Sequence, residues 1–335
     1  MTMEDIARMA GVSKATVSRV VNNKAEGVGA LTRQRVKAII EDAEYKPDLL
    51  GRGIVTSKTH TIGIIVPDIT NPFYSMLVKA IGDKLDESGY TLLLSSTGAS
   101  FETEQKHLAT FIAKRVDGII LTTSSNRIDE VRCMIFKYNL PLVLLDRTVA
   151  NIANCPGVFI DNEYALFIST EYLIKRGHYK IAYVTGQPEV STTQARVAGY
   201  LAAHKHYRIP FREELLVHGE YSYESGYAAV SDMLDRNVDF TALLCGCDTM
   251  AIGALTALKE HGKKVPEDIE LIGFDNIQFS HIIEPSLTTV EQPVMELGRE
   301  AAKMVLSLVN EEELETNTKR LEPRMVFRES TAQKQ

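Results

Sequence analysis

The strongest constraint on this fold is a run of short apolar segments separated by amphipathic ones, in units of about 25–30 residues. The apolar runs are TIGIIVP (61–67), TLLLSST (91–97), GIILTTS (118–124) and LPLVLLD (140–146). A second set is IAYVTG (181–186), LLVHGE (215–220), ALLCGCD (242–248) and IELIGFD (269–275). Helical patterns lie between them at 74–89, 102–114, 163–177, 193–207, 223–236 and 248–262. Strands alternating with helices predict parallel sheets flanked by helices. Strands that are apolar throughout have both faces covered. The strands are too many for one comfortable sheet, and the pattern restarts midway. An α/β body of two doubly wound lobes with a cleft between them is therefore expected.

Open α/β sheets bind ligands beyond the carboxyl ends of their strands. The first run ends in PDITNPFY, which supplies Asn71, Phe73 and Tyr74, and the fourth ends at Asp146 and Arg147. A helix start offers Arg196, and later strands lead to Cys247, Asp248, Asp275 and Gln292. Aromatic rings can cover C–H faces while carboxylates, guanidiniums and amides bond hydroxyls, which suits a polyhydroxylated ligand. Two arginines also suit a carboxylate or phosphate, so a sugar, a sugar acid and a sugar phosphate all fit at this point. Each residue has a plainer role open to it. Asp248 and Asp275 fit helix or turn caps, Phe73 and Tyr74 fit the core, and the arginines fit structural bridges.

The first sixty residues carry a different pattern. Thr2 and Asp5 form a capping box for a helix with Ile6, Ala7 and Ala10 on one face. Gly11 breaks it, and Ser13 can cap a second helix carrying Val17, Val20 and Val21. Thr32 is expected to cap a third, striped by Val36, Ile39, Ile40 and Ala43. Helix, tight glycine turn, helix is a helix-turn-helix pattern, whose second helix enters the DNA major groove. Lys14, Ala15 and Arg19 point away from the valines. Arg19 can pair bidentately with guanine, Ala15 can meet a thymine methyl, and Lys14 can donate to guanine or phosphate. Thr16, Ser18 and Asn22 carry short polar groups suited to phosphate. Spacing alone fits equally a capped three-helix bundle with a solvated charged face.

Charge separates the two parts. Residues 1–58 hold ten Lys/Arg against seven Asp/Glu, a net of +3, whereas the remainder holds 27 against 37, a net of −10. A small positive head on an acidic body fits a protein that offers one end to DNA. Cys133, Cys155, Cys245 and Cys247 form no CxxC pair, and His204 and His206 stand two apart, so no metal site is expected. Phosphate-loop, dinucleotide, nucleophile-elbow and zinc-protease motifs are missing, which predicts neither enzyme activity nor a cofactor. No apolar run reaches about 18 residues, so no membrane span is expected. The N-terminus lacks a basic start and apolar stretch, so a cytoplasmic location is expected.

The stretch MEDIARMAGVSKATVSRVVN (3–22), continued by TRQRV and Tyr45-Lys46-Pro47, resembles the LacI/GalR-type family of lactose, galactose and ribose repressors. The likeness runs to about residue 328, with ribose- and purine-repressor features in RVAGY (196–200) and GFDN (273–276). It implies a helix-turn-helix head at 1–46, a hinge at 47–60, a periplasmic-binding-protein-like body at 61–330 and a polar tail at 331–335. It also implies lobes discontinuous in sequence: 61–160 with 293–321, and 161–292 with 322–330. The resemblance covers Asn71, Phe73, Asp146, Arg147, Arg196, Asp275 and Gln292 one by one. Cys247 departs from it, standing where many sugar binders place asparagine. The implied function is an effector-controlled repressor of a carbohydrate operon. It would bind operator DNA as a homodimer, pairing through apolar surfaces around 74–89 and 278–283. Likeness to sugar-responsive members favours induction. An activator and a solute receptor are the alternatives.

In the hinge, PDLLGRGIVTSK, Arg52 and Ile54 join the DNA-facing set, with Ile54 at the position of a minor-groove wedge. Gly51 and Gly53 each cost a helix about 0.5–1 kcal/mol relative to alanine. The hinge helix is thus expected to form only on DNA. Amide-exchange protection of residues 48–56 should appear on adding operator duplex; equal protection with and without duplex would contradict this.

Overall fold

The computed structural model describes residues 1–21, 27–43, 58–124, 137–148 and 155–332. They fall into two compact units, Met1–Thr59 and His60–Gln335.

The first unit is built from α1 (Met3–Ala10), α2 (Lys14–Val21) and α3 (Ala30–Asp42). The Thr2–Asp5 capping box forms: the Thr2 hydroxyl accepts from the Asp5 N–H at 3.2 Å, and Asp5 accepts from the Thr2 N–H at 2.9 Å. Gly11 ends α1 in the left-handed region at φ 61°, where a side chain would be strained. The Ser13 hydroxyl accepts from the Thr16 N–H at 3.2 Å and opens α2. One expectation fails. Gly29, not Thr32, is the cap of α3, and it contributes no side-chain bond. Thr32 lies inside the first turn because the helix starts two residues earlier, at Ala30. Ile6, Ala7, Ala10, Val17, Val20 and Val36 close the small core.

The second unit contains two six-stranded sheets. In the first, β1 (Thr61–Val66), β2 (Thr91–Ser96), β3 (Gly118–Leu121), β4 (Leu142–Leu145), β5 (Gly157–Ile160) and β11 (Thr318–Leu321) lie in the order β11-β5-β4-β3-β1-β2. All their pairings are parallel. In the second, β6 (Ile181–Thr185), β7 (Leu216–His218), β8 (Ala242–Cys245), β9 (Glu270–Asp275), β10 (Thr288–Glu291) and β12 (Arg324–Val326) lie in the order β12-β10-β9-β8-β6-β7. Only the edge strand β12 runs antiparallel there. Leaving the edge strands β11 and β12 aside, both sheets are wound in the same order. Each has a switch point, between β1 and β3 or between β6 and β8, where the crossovers diverge to opposite faces. Six of the apolar runs form strands that are almost wholly buried, β1, β3, β4, β6, β8 and β9; the runs TLLLSST and LLVHGE form the edge strands β2 and β7, which lack a neighbour on one side and stay partly exposed.

The helices over the first sheet are α4 (Pro72–Glu87), α5 (Phe101–Ala113) and α11 (Val294–Val309); over the second they are α6 (Asn162–Lys175), α7 (Ser191–His206), α8 (Tyr223–Asp235) and α9 (Asp248–Glu260). A short α10 (Gln278–Ile282) follows β9. The chain passes between sheets after β5, after β10 and between β11 and β12. Helices α6 and α7 pack closely because position 199 is glycine; a Cβ there would lie 2.0 Å from the Glu163 carbonyl oxygen. Strands β5, β10, β11 and β12 carry no strong periodic signal. They are three or four residues long, and TKRL and TTVE read as polar.

A partly buried ion pair joins the start of β9 to the loop after α6. Arg176 donates to both Glu270 oxygens, at 2.8 Å (Nε) and 2.6 Å (Nη2), with His178 at 3.5 Å. The Ala332 N–H donates as well, at 3.2 Å. Burial works against the Glu270 charge, but the bonds from His178 and Arg176 outweigh it and hold its pKa at about 2. A carboxyl below its ordinary value of 4.5 stabilises the fold above that pH and loses its contribution as pH falls towards 2. Glu270→Gln should therefore lower stability near neutrality by about 2–3 kcal/mol. It should also flatten the acid limb of urea unfolding midpoint against pH below about 4.5. An acid limb as steep as the parent's would contradict this linkage.

Candidate functional site

The DNA-facing candidates that are described lie on α2. Lys14, Ala15 and Arg19 are exposed, while Thr16 and Ser18 are half-buried. The Lys14 ammonium meets Glu4 of α1 at 3.0 Å. The pair is exposed and so weakly held that a phosphate can displace it. The Thr16 hydroxyl is 2.9 Å from that of Ser13 and so belongs to the helix cap. Asn22, Arg52 and Ile54 lie outside the described residues.

In the second unit, a cavity of about 30 Å³ is lined by Asn71, Phe73, Tyr74, Asp146, Arg147, Thr192, Arg196, Tyr221, Cys247, Asp275 and Gln292. An adjoining space of about 110 Å³ shares Asn71, Tyr74, Arg147 and Tyr221 with it. The lining comes from both lobes. Asn71 caps α4, its side-chain oxygen accepting from the Phe73 N–H at 3.0 Å. That cap turns Phe73 and Tyr74 inward, with their rings edge to face at 5.1 Å. The Tyr74 hydroxyl donates to Asp146 at 3.2 Å. Asp146 sits at φ 65°, directly after β4; short polar side chains tolerate this left-handed region better than most. Arg147 follows, and its Nη1 donates to the Thr123 carbonyl at 3.0 Å.

Across the cleft, the Arg196 guanidinium lies 3.6 Å from the centre of the Phe274 ring. Its Nε donates to Asn162 at 2.7 Å and its Nη1 to the Gly246 carbonyl at 2.6 Å. Asp275, ending β9, accepts from the Gln292 amide at 2.6 Å. The Cys247 thiol caps α9, accepting from the Met250 N–H at 3.4 Å. This wall of the cavity therefore offers sulfur, a weak hydrogen-bonding surface.

Asp248 is the exception among the expected cleft residues. Its carboxylate accepts from the Ile277 N–H at 2.9 Å and from the Ser280 and Thr289 hydroxyls at 2.5 Å each. It is fully buried and absent from the cavity lining. A carboxylate holding three donors is spent on tying α9 to α10 and β10, so the expectation of a ligand contact gives way to a structural role. Thr192 and Tyr221 line the cavity although sequence reading passed them over. Tyr221 stands just beyond the carboxyl end of β7, where the strand-end rule pointed. Its ring occupies space that only a glycine at 186 leaves free, since a Cβ there would lie 2.3 Å away. Its hydroxyl is fixed 2.7 Å from that of Thr193.

Two carboxylates and two guanidiniums thus share one buried site. Burial raises the pKa of Asp146, eased by the charges of Arg147 and Arg196, and lifts that of Asp275 well above the usual range. Burial opposes the charge on both arginines, but neighbours outweigh it and raise their pKa values; Tyr74 and Asp146 act on Arg147, and Tyr221 and Asp275 on Arg196. Three buried atoms of this lining have no hydrogen-bond partner among the described residues: Asp146 Oδ1, Arg147 Nε and Gln292 Oε1. No group of His, Cys, Asp and Glu suited to a metal occurs among the described residues.

Comparison with known proteins bears on both units. Residues 2–48 match the family of bacterial regulatory proteins of the lacI family. Residues 59–328 match the periplasmic binding proteins and sugar binding domain of the LacI family. The chain is 37% identical over 332 residues to catabolite control protein A of Priestia megaterium, covering 99% of each. It superposes on the lac repressor dimer bound to operator and the anti-inducer ONPF with a TM-score of 0.89, at 27% identity over 99% of each chain. A LacI family regulator of Enterococcus faecium with bound ribose matches at a TM-score of 0.75 and 33% identity, over 81% of this chain and 98% of that one. With both units matched across nearly the whole length, this chain belongs to the LacI family of bacterial transcription regulators.

Proposed function

We propose that this protein is a cytoplasmic transcriptional repressor that binds a pseudo-palindromic operator as a homodimer and is released by a neutral polyhydroxylated ligand held in the cleft. The unpaired atoms of the cavity carry the reading. Asp146 Oδ1 and Gln292 Oε1 are acceptors and call for donors on the ligand; Arg147 Nε is a donor and calls for an acceptor. Hydroxyls serve both needs at once. An anion without hydroxyls only accepts, and would leave two buried acceptors unsatisfied at a cost of about 1–3 kcal/mol each. The ribose-bound relative from Enterococcus faecium agrees with this class.

The spaces of about 30 and 110 Å³ are small beside the roughly 300–1,000 Å³ of typical ligand pockets. Admitting a sugar therefore requires the lobes to part and reclose. That motion links the ligand to DNA through one equilibrium, in which each changes the affinity for the other by the same factor. Exposed Phe279 and Ile282 on α10 supply apolar surface for pairing two bodies. Among the described residues no helix is long and apolar enough to cross a membrane.

Thermal-shift and operator-release titrations with D-ribose and other neutral sugars, sugar acids and sugar phosphates test the ligand class. A neutral sugar should raise the melting temperature, and a response confined to anions would overturn the reading. Arg196→Ala should abolish that response while operator affinity persists. Arg19→Ala should cost about 1–3 kcal/mol on operator and little on random duplex; equal losses on both would remove Arg19 from base reading.

A further inference from the structure

Glu104 lies outside the cavity, on α5, and is completely buried. A buried carboxylate is costly and needs compensation. The Ser124 N–H donates to its Oε2 at 2.5 Å, and the Thr123 hydroxyl donates to its Oε1 at 3.0 Å. The Ser124 hydroxyl is in turn 3.0 Å from that of Thr97. The Ser124 N–H and the Thr123 carbonyl belong to one peptide group. That carbonyl accepts from Arg147 Nη1 at 3.0 Å. A single peptide thus stands between a buried anion and a buried cation, the anion at its N–H end and the cation at its oxygen. Its dipole is aligned favourably with both charges, and polarisation along such a chain strengthens each bond. Burial raises the Glu104 pKa, and the Ser124 N–H is the foremost group acting against it, with Arg147 also contributing. Position in the first turn of α5 further favours negative charge.

We infer that Glu104 is a positioning residue for the effector site: its charge, relayed through the 123–124 peptide, fixes the Arg147 guanidinium so that Nε is left to meet the ligand. Without that anchor the peptide could rotate and draw the Thr123 carbonyl away from Arg147 Nη1, leaving Tyr74 and Asp146 as the neighbours that hold the guanidinium. This role rests on the reading of Arg147 as a ligand contact, but the anchoring itself is measurable without any ligand.

The test follows the Arg147 side-chain Nε–H by nitrogen-15 NMR, the signal being assigned by its loss in Arg147→Lys. Glu104→Gln keeps the shape and a carbonyl acceptor but removes the charge. It should shift the Arg147 Nε–H signal and speed its solvent exchange at least roughly tenfold, while the Arg196 Nε–H, held by Asn162, stays unchanged. Glu104→Asp, with the charge kept and the reach shortened, should give an intermediate rate and decides the matter alone if Glu104→Gln does not fold. An Arg147 signal indifferent to these changes, or one moving in parallel with Arg196, would overturn the proposal. In a D-ribose titration, Glu104→Gln should weaken binding about 5–20-fold in the parent and far less in an Arg147→Lys background. Equal weakening in both backgrounds also overturns the positioning role. Should ribose fail to bind the parent, the ligand reading suffers, and the Arg147 exchange measurement still decides the role of Glu104.

Discussion

Everything in the effector-binding body depends on burying opposite charges where the carboxyl ends of two parallel sheets meet. Parallel strands covered on both faces leave no polar surface along their length. Their ends, at the switch points, are where the fold can place polar groups. Asp146 follows β4 and Asp275 ends β9, while Arg147 and Arg196 supply the compensating cations. Isolated, any of these charges would be expensive to bury. Together, and with hydrogen bonds to Tyr74, Asn162, Gly246 and Gln292, they form a site that is nearly satisfied yet incomplete. The incompleteness is three buried atoms with no hydrogen-bond partner among the described residues; on the proposed reading, a small hydroxylated molecule supplies those partners in one lobe arrangement better than in another.

The same logic explains how the site is held. Arg196 is fixed by its Phe274 stack and two short bonds; Arg147 is held by Tyr74 and by the Thr123 carbonyl, whose peptide also bonds Glu104. Asp248 uses its three bonds to tie α9 to α10 and β10, which sets the position of Cys247 next to it. On the proposed reading, a binding surface shared between lobes requires such rigid supports within each lobe, so that ligand contact acts on the movement between lobes.

Much of the architecture was legible in the sequence because its physical basis is local. Runs such as TIGIIVP and IELIGFD cannot be solvated and must be buried strands, and the helices between them fall within two residues of their amphipathic patterns. The capping box at Thr2 and the turn at Gly11 are local chemistry and form as read. Gly29 displaced Thr32 as a cap because a helix start depends on where the preceding chain leads. Strands β5, β10, β11 and β12 stayed hidden because three or four residues pair through neighbours distant in sequence.

The sequence by itself determined the family, the alternation that yields two parallel sheets, and the residue types gathered at the strand ends. Tertiary structure decided which of those residues turn towards the cleft. Asp248 and Cys247 are neighbours with equal claims on paper, yet the first points into the protein and the second lines the cavity. Their directions follow from how β9, α10 and β10 pack around the start of α9. Tyr221 and Glu104 likewise acquire their roles from a glycine slot and from a peptide far away in the chain. Side-chain direction at a strand end is set by contacts across the fold, and no pattern within the segment records it.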